Sequence, residues 1–169
     1  MTRRDAADHL DEEAFTPFVE GLDYPVYVVT TAAEGETSGC LVGFATQSSI
    51  DPPRLLVCLS QANHTHGVAL AATHLAVHLV PADRHDLAEL FGSETGDEVD
   101  KLSRVAWTPG PGGVPLLDDC PRRFVGEILA RHDLGDHTGH LLAPVTVGEA
   151  KGETLTFADV QDLDPGHDA

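Results

Sequence analysis

An all-β fold with short helices, built as an antiparallel barrel or sandwich whose ends the helices cover, is predicted by three features of this sequence. Six or seven short runs rich in Val, Leu, Tyr and Thr follow one another between turn-forming residues. The first two, 24–31 and 38–47, are separated only by a turn; no crossover helix fits between them, so they form a hairpin. Hydrophobic residues make up 41% of the 169 residues but aromatics only 5%, so the core is mostly Val, Leu and Ala. A chain of this length supports one domain without staples.

The elements follow in order. Residues 1–9 are polar and are expected to form a mobile tail before a domain at 10–160. Asp11 to Gly21 suits a short helix, with Asp11 as cap, Leu10, Phe15, Phe18 and Val19 as its apolar side, and Gly21 as its stop. YPVYVVTT (24–31) is a first strand, AEGET a turn, and SGCLVGFATQ (38–47) a second strand. PRLLVCLS (53–60) is a third strand whose continuous apolar run predicts burial. QANHTHGVALAATHL contains a helix that Asn63 or Thr65 caps. LAVHLVP (75–81) is a fourth strand, followed by a helix ending at Gly92 and a turn near 98–102. WTPGPGGVPLLDD is a Pro/Gly loop. Strands follow at 124–132 and through HLLAPVTVGE, and TLTFADV (154–160) is a last short strand. The end, 161–169, is a polar tail.

Charge limits the partners. The formal net charge is −18, with 28 acids against 10 bases. Nucleic acid and anionic membranes need cationic patches, so neither is expected. A solvated acidic face and adaptation to salt both account for the imbalance. Cys40, Cys58 and Cys120 are odd in number with no CxxC spacing, which suits a reducing, cytoplasmic setting. MTRRDAADHLDEE has no apolar segment of the signal-peptide kind, and no apolar run reaches membrane-spanning length.

Three stretches carry polar groups in patterns that suit a ligand. GFATQSSIDPPR (43–54) combines low bulk at Gly43, Ala45, Thr46, Ser48 and Ser49 with two prolines that stiffen the exit. Backbone there can approach a planar ring, with hydroxyls as further donors and Arg54 as a nearby cation. The same stretch suits a surface loop leading into a core strand. SQANHTHG (60–67) joins a strand to a helix start, which offers N–H groups to an anion; simple capping also accounts for it. LGDHTGH (134–140) has Gly135 and Gly139 for a tight turn, with Asp136 placed to orient His137; a polar hairpin tip is the other reading.

Other chemistries lack their residues. His132, His137 and His140 scatter on a strand and no paired Cys completes a set, so no metal site is expected. There is no GxSxG, no phosphate-binding loop of the P-loop type and no GxGxxG; GPGG at 110–113 runs into Pro115 rather than a helix.

Taken in order, SGCLVGFATQSSIDPPRLLVCLS, NHT and LGDH resemble the flavin reductase-like, FMN-binding split-barrel family, over about residues 22–148. LAVHLVP followed by DLAELFG and VDKL, and Trp107 before PGPGGVPLL, are similar to the same family's course. The resemblance implies a six-stranded antiparallel Greek-key split β-barrel, a homodimer, and flavin near the subunit interface. FMN is the implied cofactor, with FAD as the alternative, and NADH or NADPH the hydride donor. Carried onto this sequence, Gly43, Phe44, Ala45, Thr46, Gln47, Ser48 and Ser49 line the ring and ribityl chain. Ser48, Ser49, Asn63 and Thr65 hold the phosphate, Ser60 and Arg54 assist, and His137 stands at the flavin face where a nicotinamide stacks. The implied activity is flavin reduction, with a monooxygenase as one onward partner. The chain departs from the family at its end: TFADVQDLDPGHDA replaces an element that often borders the nicotinamide. That replacement favours the alternative of an accessory or sensor module that binds flavin with little turnover. Heme, deazaflavin or pyridoxine phosphate on the same barrel is a third reading, and those relatives carry more Arg and Lys than this chain has.

Overall fold

The computed structural model describes residues 9–148 and 151–166. The expected mobile tail, 1–9, lies outside these residues except for His9. Nine strands and three α-helices are formed among the described residues. Seven strands make one antiparallel sheet: β1 (Tyr27–Ala33), β2 (Glu36–Val42), β3 (Ala45–Ser49), β4 (Arg54–Ser60), β5 (His74–Leu79), β8 (Arg123–Asp133) and β9 (His137–Val147), in the order β2-β1-β5-β8-β9-β4-β3. The two outermost strands of that order, β2 and β3, are consecutive in the chain and joined only by Gly43–Phe44. A sheet whose first and last strands are tied so closely must curl almost into a circle. This is a split barrel, with its seam at Gly43–Phe44.

The expected second strand at 38–47 is therefore two strands. β2 stays with β1, from Tyr27↔Val42 to Ala33↔Glu36, and β3 leaves to pair with β4. The expectation of a fully buried third strand is also corrected: in β4 only Val57 and Leu59 are buried, because its other face is the outside of the barrel. β1 is the strand covered on both sides, with Val28, Val29, Thr30 and Thr31 all at 0% exposure. Its run of β-branched residues suits that position.

Among the described residues, two of three apolar clusters hold most of the core; the smallest joins Ala76, Val114 and Val125. The barrel interior gathers Val29, Cys40, Val57, Leu59, Leu75 and Leu142. The second lies outside the barrel, where Val28, Val80 and Leu117 meet Leu87 and Phe91 of α3 (His85–Ser93) and Leu155. His78 ties these layers. Its Nδ1 donates to the Val28 carbonyl, and its Nε2 accepts from the Leu117 amide. The second bond requires the neutral ring, and burial pushes its pKa down to about 4. Lys101 is also buried. Its ammonium donates to the carbonyls of Gly39 and Phe91, and burial lowers its pKa.

Three other expectations change. The Pro/Gly loop contains a small hairpin, β6 (Trp107–Pro109) with β7 (Pro115–Leu117), which the Thr30 hydroxyl holds through the Pro115 carbonyl. The last strand is only two isolated bridges, at Thr154 and Thr156, followed by a 3₁₀ turn at Phe157–Val160. α1 (Glu12–Val19) forms under its Asp11 cap, but its apolar side buries nothing. Past Val160, Leu163 packs on the outer cluster and the Gly166 amide donates to Gly92.

Candidate functional site

The ledge at 43–49 is an edge strand rather than a loop of free donors. The Phe44 carbonyl accepts from the Cys58 amide, and the ladder continues through Ala45↔Val57, Thr46↔Leu56 and Gln47↔Leu55. Strand alternation then turns the backbone groups of Ala45 and Gln47 away from β4. β3 is last in the sheet, so no strand stands on that side among the described residues. Half the ledge's amides are tied into the sheet and half face outward.

Phe44 stands at the head of this edge, 55% exposed, with its ring centroid 5.1 Å from that of His137. β9 brings His137 there, because Ser60↔His137 closes the β4–β9 ladder. The turn that carries His137 is held by a bond from the Gln61 amide to the Asp136 carbonyl. His137 Nδ1 lies 2.6 Å from the Asp136 carboxylate, and this contact draws the carboxyl below its usual pKa. Nε2 has no bond to the described residues and remains available to a ligand. The structure thus brings Gly43, Phe44, Ser60 and His137 together.

Two residues at this end were not expected from the sequence. Tyr24 lies 6.4 Å from Phe44, and Phe157 stacks on Tyr24 at 4.9 Å. The chain has nine aromatics, and three of them meet at the barrel seam. Their scarcity is the sequence signal that could have marked them. Phe157 comes from TFADVQDLDPGHDA, so the divergent end of the chain does reach the site. A Cβ on Gly43 would meet the Tyr24 ring at 3.2 Å, so glycine allows the close approach.

The four residues expected to hold one phosphate do not meet. Ser49 faces Arg54 at the start of β4, whereas Asn63 and Thr65 follow its end at Ser60. Six steps of about 3.3 Å separate the two ends by roughly 20 Å. Thr65 is fully buried, and its hydroxyl is bonded to Ser38. The Asn63 side chain accepts from the Thr65 amide, which is the capping reading. α2 (His64–Ala69) also starts among carboxylates. His64 is bracketed by Asp97 at 2.8 Å and Glu36 at 2.7 Å. A polar cavity of about 410 Å³ beside it is further lined by Glu98 and Asp100.

The other end of the hairpin is cationic. Gln47 and Arg54 line a cavity of about 790 Å³ at the open mouth of the barrel, together with Arg122, Arg123 and Lys151. Four of the chain's ten lysines and arginines therefore border one cavity. The hydroxyls of Ser48 and Ser49 make no bond to the described residues. The Thr46 hydroxyl is turned to the Gln47 carbonyl and the Gln47 amide to the Ser49 carbonyl. Among the described residues no group of three or more His, Cys, Asp or Glu is placed to hold a metal.

A curled antiparallel split barrel with an aromatic seam and a cationic mouth defines a class of cofactor-binding barrels. The chain belongs to the family described as flavin reductase like domain, whose model matches residues 19–162. A relative named FMN reductase (NADH) from Agrobacterium fabrum is 30% identical, over 79% of this chain and 74% of its own length. The NADH:FAD oxidoreductase of Streptomyces globisporus superposes with a TM-score of 0.77 at 26% identity, covering 89% of this chain and 92% of that one. An FMN-binding protein from Thermus thermophilus, solved with p-hydroxybenzaldehyde, superposes with a TM-score of 0.73 at 30% identity, over 88% and 82%.

Proposed function

We propose that this chain is a flavin reductase that uses NADH to reduce FMN, with the flavin lying along the outward edge of β3. The observation that carries the reading is the exposed Phe44 ring beside His137 at the head of a half-free edge strand. The residues fit the group: small residues at Gly43 and Ala45 admit a flat ring, and the outward backbone groups of Ala45 and Gln47 match its polar rim. Flavin, when bound, supplies two-electron chemistry with a nicotinamide as donor.

The chain's own residues do the rest. Phe44 and Tyr24 form an apolar wall that orients planar rings and excludes water. His137, oriented by Asp136 through Nδ1, presents Nε2 to the ring edge and stabilises charge there. The phosphate goes to Ser48, Ser49 and Arg54, because the start of α2 is crowded by carboxylates. NADH is preferred over NADPH as the working donor, after the Agrobacterium relative's name. The reading extends to a homodimer, cytoplasmic location, a domain spanning about 10–160 and transfer of reduced flavin to a monooxygenase. No helix of the described residues is long and apolar enough to cross a membrane, and relatives include a protein named as a monooxygenase reductase subunit.

Rapid mixing of FMN-loaded protein with NADH is the test. Bleaching of the oxidised-flavin absorbance within seconds supports reduction. Bound flavin that stays oxidised would leave the accessory-module reading in its place.

A further inference from the structure

The barrel mouth and helix α1 have complementary surfaces, and neither is satisfied within one chain. The mouth has apolar walls from Tyr27, Leu55, Leu79, Phe124 and Val147, with Arg54, Arg122, Arg123 and Lys151 on its rim. None of these four cations is ion-paired among the described residues, whereas Arg84 and Arg104 are. Arg123 turns one nitrogen to the Leu117 carbonyl. Unneutralised positive charge over an apolar surface, in a chain of net charge −18, selects an acidic partner with an apolar face.

α1 is such a surface. Its first turn carries Glu12 and Glu13 behind the Asp11 cap, and none of its residues is buried. Phe15 and Phe18 stack at 5.6 Å yet are 51% and 74% exposed, and Leu10 and Leu22 beside them are 72% and 51% exposed. No Lys or Arg occurs between Arg4 and Arg54, so this segment is acidic throughout. An apolar patch of this kind marks an interface.

We propose that α1 of a second copy of this chain seats in the barrel mouth, its Phe15–Phe18 pair on the apolar walls and its acidic first turn against Arg122 and Lys151. The proposal rests on the homodimer reading above and names the surfaces that make it. Two-fold exchange would form the contact twice and place the interface next to Arg54, at the foot of the flavin edge.

Charge exchange in the full-length protein tests it, read by sedimentation equilibrium. E12K/E13K and R122E/K151E should each weaken the dimer about tenfold, and the four changes combined in one chain should return it to within about threefold of the original. Recovery in the combined variant also separates docking from a mere loss of helix, since reversed charge at the α1 N-terminus weakens the helix in either background. A combined variant as weak as the product of the two, or removal of residues 1–22 with no loss of dimer, overturns the proposal and leaves the homodimer standing. A wild-type chain that stays monomeric at every concentration overturns both. NADH bleaching of bound FMN in the same variants reports on the flavin site separately.

Discussion

The two ends of the β3–β4 hairpin differ in charge, although one seven-residue strand connects them. At the Ser60 end, Glu36, Asp97, Glu98 and Asp100 line the cavity beside the start of α2, its one cation among the described residues, Lys101, is already bonded to the Gly39 and Phe91 carbonyls, and the Thr65 hydroxyl is bonded to Ser38. At the Arg54 end, four cations line one cavity and two serine hydroxyls make no bond to the described residues. The first end has the local geometry associated with phosphate, a capped helix start. The second has the electrostatics. At a separation of roughly 20 Å, one phosphate cannot use both. In a chain this acidic, local charge decides where an anion goes. A six-residue helix whose cap already takes an amide has little to offer in return.

Acidification gives the largest effect and acts on the fold beneath both ends. His140, register-paired with Val57 on β4, and His78 are both held neutral, with pKa values pushed down to about 4 by burial. Between about pH 6.5 and 4 the unfolded chain binds these protons and the folded chain does not. Stability therefore falls as pH drops through that window, by on the order of 3 kcal/mol per histidine. Chemical denaturation at pH 7 and pH 4.5 checks this, and equal midpoints would contradict it. Binding at the two ends is to be compared above pH 6.5 for the same reason.

Ser49→Asp comes next. A second anion at the cationic end should weaken FMN about 100-fold while riboflavin, which has no phosphate, binds as before. If FMN and riboflavin affinities change together, Ser49 faces the ring instead. If neither changes, the phosphate sits elsewhere. His137→Ala probes the aromatic end: NADH bleaching should slow about tenfold, with the FMN dissociation constant within about threefold of the original. Loss of binding with an unchanged rate would make His137 a holding residue. The smallest effect is assigned to Thr65→Ala. It should cost about 1 kcal/mol of stability through the lost Ser38 bond and leave FMN affinity untouched. A clear loss of FMN affinity there would return the phosphate to the α2 end.

The fold was largely legible because β-branched runs and short turns are local signals. β1, β5, β8 and β9 fall within a few residues of where the sequence places them. The break at Gly43–Phe44 was not legible, since residues on both sides are extended. Only pairing with β4, set by Cys58 and Val57, reveals that one strand has become two. In the site, the low-bulk ledge and the Asp136–His137 turn could be read from spacing. The rest is tertiary. Glu36 and Asp97 arrive at His64 from distant turns, Thr65 loses its hydroxyl to Ser38, and Phe157 reaches Tyr24 from the far end of the chain. Helical propensity and hydroxyl content say nothing about which charges will surround a helix start.

The two-residue link at Gly43–Phe44 has a consequence for assembly. β3 pairs with β4 as a local hairpin, but that hairpin joins the rest of the sheet through β4 and β9, whose pairing links residues far apart in the sequence. Seating the hairpin against β9, rather than forming it, is therefore the non-local step that closes the ring. A molecule that lodges along β3 acts as a clasp on that closure, so loading the protein should slow its unfolding more than it speeds its folding.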